Sequence, residues 1–340
     1  MIWFIRFKIL VQNAFATLRI GFFFIILSWL IVSCNKKSNS PVLPEVINYD
    51  QLNGIMAFSR STGKIMILNG HNQTDTTLII KDLEVFDNAS VSLSADGENI
   101  AYSANTNEGA MVFTMSVRGS NNLKLTKNLS GFVEYYICPI WSSDGANIYY
   151  VDNGYIILGP VFSIKADGSD LRQITKFNVY RRISVSKDKS FIAYGSSGIP
   201  IDTLQGIYLY FIQNDSARKI KTYNSNFTAY SPVLSPDEKK IAFILRHGPN
   251  EQGASPYFYR IITINIDGTN ESMGIELPDN NVIDPYVIWS PDGTKLAYNY
   301  GENTINGDQG SHIYIINSDG TGLVQVTHST DYDGAPSWVK

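Results

Sequence analysis

The chain is poor in the residues that reactive chemistry uses most. Of 340 residues only four are histidine and two are cysteine, and charged side chains make up 17%. Arginine and lysine (27) are outnumbered by aspartate and glutamate (31), for a formal charge of −4. That balance leaves no basic footprint for nucleic acid. No Cys-x-x-Cys, His-Glu-x-x-His or phosphate-loop pattern occurs. The nearest approach to a nucleophile elbow, Gly195-Ser196-Ser197-Gly198, has the wrong spacing and reads as a loop. Helix-period apolar patterning is scarce after residue 40. With one cysteine expected to carry lipid, Cys138 stands alone, so no disulfide is expected, and its place in a strand marks it as a small buried hydrophobe.

What the chain has instead is a repeat. Trp289-Ser-Pro-Asp-Gly-Thr-Lys-Leu-Ala-Tyr298 recurs as Ser94 to Tyr102, Trp141 to Tyr150, Ser186 to Tyr194 and Ser235 to Phe243. The aspartates fall at 96, 144, 188, 237 and 292, in steps of 48, 44, 49 and 55 residues. Self-similarity at that length means stacked supersecondary units. Asp-Gly between short apolar runs is a strong hairpin signal. Each unit continues through a second alternating run such as Ile313-Tyr-Ile-Ile316, another turn such as Asp319-Gly320, and a closing run such as Val326-Thr327. Four short antiparallel strands per unit make a propeller blade.

Met56-Ala-Phe58, Ile100-Ala-Tyr102, Ile148-Tyr-Tyr150, Ile192-Ala-Tyr194, Ile241-Ala-Phe243 and Leu296-Ala-Tyr298 count six blades. The first copy lacks the strand that should precede it. An unused strand, Ala335-Pro-Ser-Trp-Val-Lys340, ends the chain, with Trp338 lying 49 residues after Trp289. The expectation is an all-β, six-bladed propeller of four-stranded antiparallel blades over residues 51–340, its ring closed by the C-terminal strand.

In the order Trp-Ser-Pro-Asp-Gly, Ile-Ala-Tyr, Ile-Tyr, Asp-Gly, Leu-Thr, this repeat resembles that of TolB-type propellers, also described as WD40-like repeats. The resemblance spans about residues 52–340 and implies the fold far more strongly than a function. Members of that family include periplasmic scaffolds, peptidase-associated propellers and a few lyases.

Ahead of the repeat, Arg6, Lys8 and Arg19 precede an apolar run from Ile20 to Val32 that has the length of a signal-peptide core. Ile31 to Cys34 resembles a bacterial lipobox. That resemblance implies a signal peptide over 1–33, cleavage after Ser33 and acylation of Cys34. The alternative is an uncleaved anchor that happens to contain a cysteine. Residues 34–50, polar and proline-bearing, read as a tether. By analogy with enteric lipoproteins, Asn35 after Cys34 implies an outer-membrane lipoprotein, facing the periplasm and anchored through its lipid.

If each blade runs from inner to outer strand, the Asp-Gly hairpins share one face of the ring. The loops after Ile-Ala-Tyr and the blade-to-blade connectors share the other. This second, loop-bearing face carries the insertions Leu245 to Tyr257 and Asn299 to Ser311, with Glu251, Glu302 and Asp308. It also carries Tyr135, Tyr136, Tyr180, Tyr223, Tyr230, Tyr286 and Tyr332, and the histidines His247, His312 and His328; His71 falls on the hairpin face. Loops on a rigid scaffold are where binding groups concentrate, and tyrosine offers apolar area with a polar tip. Packing over the channel mouth is the competing reading of the same tyrosines. Asp331-Tyr332-Asp333-Gly334 lacks the spacing of a calcium loop and reads as a connector turn.

The functional expectation is a monomeric, non-enzymatic binding scaffold that needs no cofactor and recognises an envelope protein, peptide or glycan on the loop-bearing face. The alternative is a metal-assisted polysaccharide lyase resembling the oligogalacturonate lyases, with His247, His312 and His328 as candidate metal ligands.

Overall fold

The computed structural model describes residues 47–61, 63–80, 90–127, 138–152, 158–196, 205–248, 258–277, 285–303, 309–329 and 331–340. The expected signal peptide, Cys34 and most of the tether lie outside them.

The described strands form six antiparallel sheets, one per repeat. β1 (Ile55–Arg60), β2 (Lys64–Asn69) and β3 (Thr74–Ile79) are the outer three strands of blade 1. Blade 2 is β4 (Val91–Leu93), β5 (Asn99–Thr106), β6 (Gly109–Ser116) and β7 (Leu123–Lys124). Blade 3 is β8 (Ile140–Trp141), β9 (Asn147–Val151), β11 (Val161–Lys165) and β12 (Arg172–Gln173), while its short β10 (Leu158–Gly159) crosses to blade 4. Blade 4 is β13 (Val179–Val185), β14 (Phe191–Ser196), β15 (Gly206–Phe211) and β16 (Ser216–Thr222), with β10 added to its inner edge. Blade 5 runs β17 (Phe227–Leu234), β18 (Lys240–His247), β19 (Phe258–Asn265), β20 (Ile275–Glu276). Blade 6 runs β21 (Val287–Trp289), β22 (Lys295–Asn303), β23 (Gln309–Asn317), β24 (Val324–Gln325). The last strand, β25 (Ser337–Val339), is the inner strand of blade 1.

Ring closure takes the form the repeat predicts. Met56 pairs with Trp338 and Ala57 with Ser337 across β1 and β25, and Trp338 Nε1 donates to Asn53 O at 2.7 Å. The packed chain begins earlier than the expected boundary at 51. Ile47 and Tyr49 lie against the seam between blades 6 and 1, and Asn48 N donates to Val326 O at 2.9 Å. Their apolar side chains outweigh the linker character of the residues before them.

The recurring motif letters are turn chemistry. In blade 2 Ser94 Oγ donates to Asp96 Oδ1 (2.5 Å) and accepts from Asn99 N (2.9 Å), while Asp96 Oδ1 accepts from Glu98 N (3.0 Å). The same arrangement holds at Ser142/Asp144, Ser186/Asp188, Ser235/Asp237 and Ser290/Asp292. Threonine in the Leu-Thr motif is a second device. Thr126, Thr175 and Thr327 are buried, and their Oγ1 atoms accept a strand N–H of β6, β11 and β23, from Val112, Val161 and Ile313, each at 2.9 Å.

The apolar core is divided among the seams between blades. Ala57, Ile65 and Leu78 of blade 1 meet Ile100, Tyr102 and Met111 of blade 2, and Met56 and Phe58 meet Ile313 and Ile315 of blade 6. Interdigitation of this kind fixes each blade against its neighbours and so fixes the loops at their ends.

Candidate functional site

On the loop-bearing face the two expected insertions turn out to be partly regular. Leu245 to Tyr257 begins as the end of β18, and Asn299 to Ser311 is mostly the extended hairpin of β22 and β23, in which Glu302 pairs with Gly310. Tall hairpins raise this rim above the ring, as β5 and β6 do in blade 2, where Asn105 pairs with Ala110.

The tyrosines expected on this face sit inside it. Tyr180, Tyr230, Tyr286 and Tyr332 are buried, and the rings of Tyr180 and Tyr230 meet edge to face at 5.9 Å. Tyr223 is part-buried and donates to Glu271 at 2.6 Å; burial and that carboxylate raise its phenol well above the usual range. Tyr180 and Tyr230 belong to the apolar core that blades 4, 5 and 6 share, and Tyr223 packs against that of blades 4 and 5. Tyr135, Tyr136, Glu251 and Asp308 lie outside the described residues, as does the side chain of Glu302.

The histidines do not converge. His247, at the end of β18, lies in a cross-strand row of tilted rings with Phe227 (4.6 Å between centroids) and Phe258 (6.4 Å). His312 lies in β23 opposite Tyr300, and His328 is exposed after β24. Among the described residues no three His, Cys, Asp or Glu side chains come together in a way that could hold a metal ion.

Beside the Phe227–His247–Phe258 row is an open groove of about 430 Å³, floored by Leu245 and Leu277 and rimmed by the Arg260–Glu276 ion pair. Phe258 is 45% exposed there. An exposed ring beside a polar pair gives the groove both contact area and direction.

Two features absent from the sequence reading shape the site further. Arg60 and Asp333 form a buried bidentate pair, Nε to Oδ1 at 2.5 Å and Nη2 to Oδ2 at 2.9 Å, so the connector turn at 331–334 is a latch onto blade 1. Ser61 and Tyr332 join the same latch through Tyr332 N to Ser61 Oγ (3.1 Å) and Ser61 N to Tyr332 O (2.8 Å). The second feature is in the central channel. The register of β13 against β14 slips between Tyr180 and Ile183, and that of β17 against β18 between Tyr230 and Val233. Such bulges re-aim side chains. Here they place Arg182 and Ser231 on the channel wall. Arg182 Nη2 donates to Ser90 Oγ, and its guanidinium lies 4.3 Å above the ring of Tyr286.

No family model matches the chain, and no curated protein matches it. Solved structures do. TolB from Acinetobacter baumannii superposes with a TM-score of 0.65 at 17% identity, over 84% of this chain and 66% of that one. The chain shares its fold with TolB. A putative TolB from Agrobacterium tumefaciens gives 0.58 at 16% identity, over 83% of this chain and 91% of that one. A chain of the nidogen/laminin complex gives 0.60 at 12% identity, over 84% and 98%. At these identities the likeness is one of architecture, and the TolB-type repeat read from the sequence is the sequence-level counterpart of that architecture.

Proposed function

We propose that the protein is a non-enzymatic binding scaffold, held at the outer membrane by lipid on Cys34 and presenting its loop-bearing face to a partner in the periplasm. The observation that carries this reading is the blade 5 groove. It joins an aromatic row ending in exposed Phe258 to the Arg260–Glu276 pair. Exposed aromatic anchors with a polar rim are the parts from which protein interfaces are built. A protein or peptide partner therefore fits better than a glycan. That a chain of the nidogen/laminin complex has the same architecture supports a protein-binding use of it.

The test is capture from detergent-solubilised envelope by the lipidated protein. Wild type should retain a discrete partner, Phe258→Asp should lose it, and His247→Ala should weaken it less. Equal capture by wild type and Phe258→Asp would sink the reading. Anchoring has its own test: Cys34→Ser should abolish fatty-acid labelling and free the protein from membranes, because acyl chains supply the membrane affinity. Retention without label would point to an uncleaved anchor over Ile20 to Val32.

The lyase alternative needs His247, His312 and His328 at one point, and the described residues give it no such group. Purified protein should hold substoichiometric metal and release no unsaturated products from uronate polysaccharides. One tightly bound ion per chain, lost in His312→Ala, would restore the alternative.

A further inference from the structure

Aligned on the Trp-Ser-Pro-Asp repeat, the position three before the tryptophan is Ser90, Cys138, Arg182, Ser231, Tyr286 and Ala335 in blades 2, 3, 4, 5, 6 and 1. Of these six equivalent positions Ser90, Arg182 and Ser231 line the channel cavity, and only Arg182 carries a charge. Arg182 leaves blade 4 and reaches Ser90 on blade 2 and Tyr286 on blade 6. Blades 2 and 6 both flank blade 1, opposite its origin, so the side chain crosses the channel like a bar.

From this bar a shaft of about 250 Å³ runs to the hairpin face, where Pro236 and Pro291 stand at its mouth. Val233, Ile288 and Trp338 give its wall apolar stretches between Ser92, Ser184, Ser290 and Ser337, and none of the described residues lining it is acidic. The floor is electrostatically incomplete. Among the described residues Arg182 has no carboxylate partner, its Nε is enclosed without an acceptor, and the enclosed Ser231 Oγ at the same level has no partner either. A guanidinium has five donors, and a part-buried cation without a counter-ion is costly to maintain. None of the described residues supplies its counter-ion.

We propose that the shaft is a binding site for a small monocarboxylate, entered from the hairpin face. The carboxylate meets the guanidinium fork and Ser231, and the aliphatic body lies between Val233 and Ile288. One positive charge on the floor matches one negative charge. A dianionic phosphate would bring a second charge, and the lining holds no second cation to balance it. The planar guanidinium suits a carboxylate in two-pronged geometry. This site is independent of the blade 5 groove, and it opens on the opposite face.

The test is calorimetric titration of the purified propeller with sodium butyrate, its neutral isostere butyramide, and N-acetyl-dialanine. Fluorescence of Trp289 and Trp338, which line the shaft, serves as a second readout. Butyrate or N-acetyl-dialanine should bind saturably at one per chain, butyramide at least tenfold more weakly than butyrate. Tighter butyrate binding assigns the site to a free acid, and tighter N-acetyl-dialanine binding to the carboxylate end of a peptide chain. Arg182→Gln, which keeps a donor for Ser90, should weaken binding at least tenfold. Pro291→Trp, which covers the mouth and leaves Arg182 untouched, should do the same, and serves if Arg182→Gln fails to fold. Absence of saturable binding by either carboxylate, or equal affinity for butyramide, or unchanged affinity in a folded Arg182→Gln protein, would overturn the proposal.

Discussion

A serine hydroxyl opens each of the five inner hairpins, and it both donates to the turn aspartate and accepts the N–H of the residue five positions on. Ser290, buried, accepts from Lys295 N at 2.9 Å and donates to Asp292 at 2.7 Å. Ser290→Ala should therefore cost about 1–2 kcal/mol in denaturant unfolding, the cost of stranding a buried N–H. The aspartates impose a pH dependence. Asp144 is held down at about 2, first by its hydrogen bond from Lys189 and then by that from Ser142; Asp96, Asp237 and Asp292 are lowered first by Ser94, Ser235 and Ser290, and Asp188 first by Ser190, with backbone bonds adding to each. A carboxylate whose folded value lies below its unfolded value contributes stability above about pH 4, and that contribution is lost as pH falls towards 2. Melting temperature should drop across that window, and Asp144→Asn should lower it at pH 7 while flattening part of the acid slope. An unchanged acid limb in Asp144→Asn would contradict the assignment.

At the scale of the strand, β25 is the decisive element. Removing Ala335 to Lys340 exposes the edge of β1 and takes Trp338 out of the seam between blades 6 and 1. The loss should be about 3–5 kcal/mol, in line with deleting a buried tryptophan, and an unchanged melting temperature would count against it. This strand was legible from sequence because repeats are local: the turn, the apolar run and the missing copy are all visible within one unit. Bulges are not. Two extra residues in β13 and one in β17 change which side chains face the channel, and nothing in the repeat marks where they fall, so Arg182 and Ser231 gave no signal. Tyrosines at the strand starts were legible as aromatic and as belonging to the loop-bearing face. Whether they lie on the rim or under it depends on how closely neighbouring blades approach, which no single repeat encodes. Nor did the insertions reveal that part of their length extends strands.

For the whole molecule, the Arg60–Asp333 pair joins positions 273 residues apart, and no periodicity points to it. Arg60→Met should cost about 3–5 kcal/mol by taking the guanidinium away from a buried carboxylate, while Arg60→Met with Asp333→Leu should recover most of that loss. Thermal or denaturant melts of the two variants decide it; an equal cost in both would show that the pair contributes through shape and not through charge. The latch and β25 act on the same joint, and together they make the ring a question of time as well as of stability. Met56 leaves the ribosome early and its partner Trp338 some 280 residues later. Joining ends that far apart costs an unfolded chain on the order of 5 kcal/mol in loop entropy. Contacts of such sequence separation form late and slowly. Until β25 arrives, blade 1 is a three-stranded sheet with a bare inner edge, and the chain stays open through synthesis and any crossing of a membrane. The closing strand is in effect a clock, set to run out only when the last blade is in place.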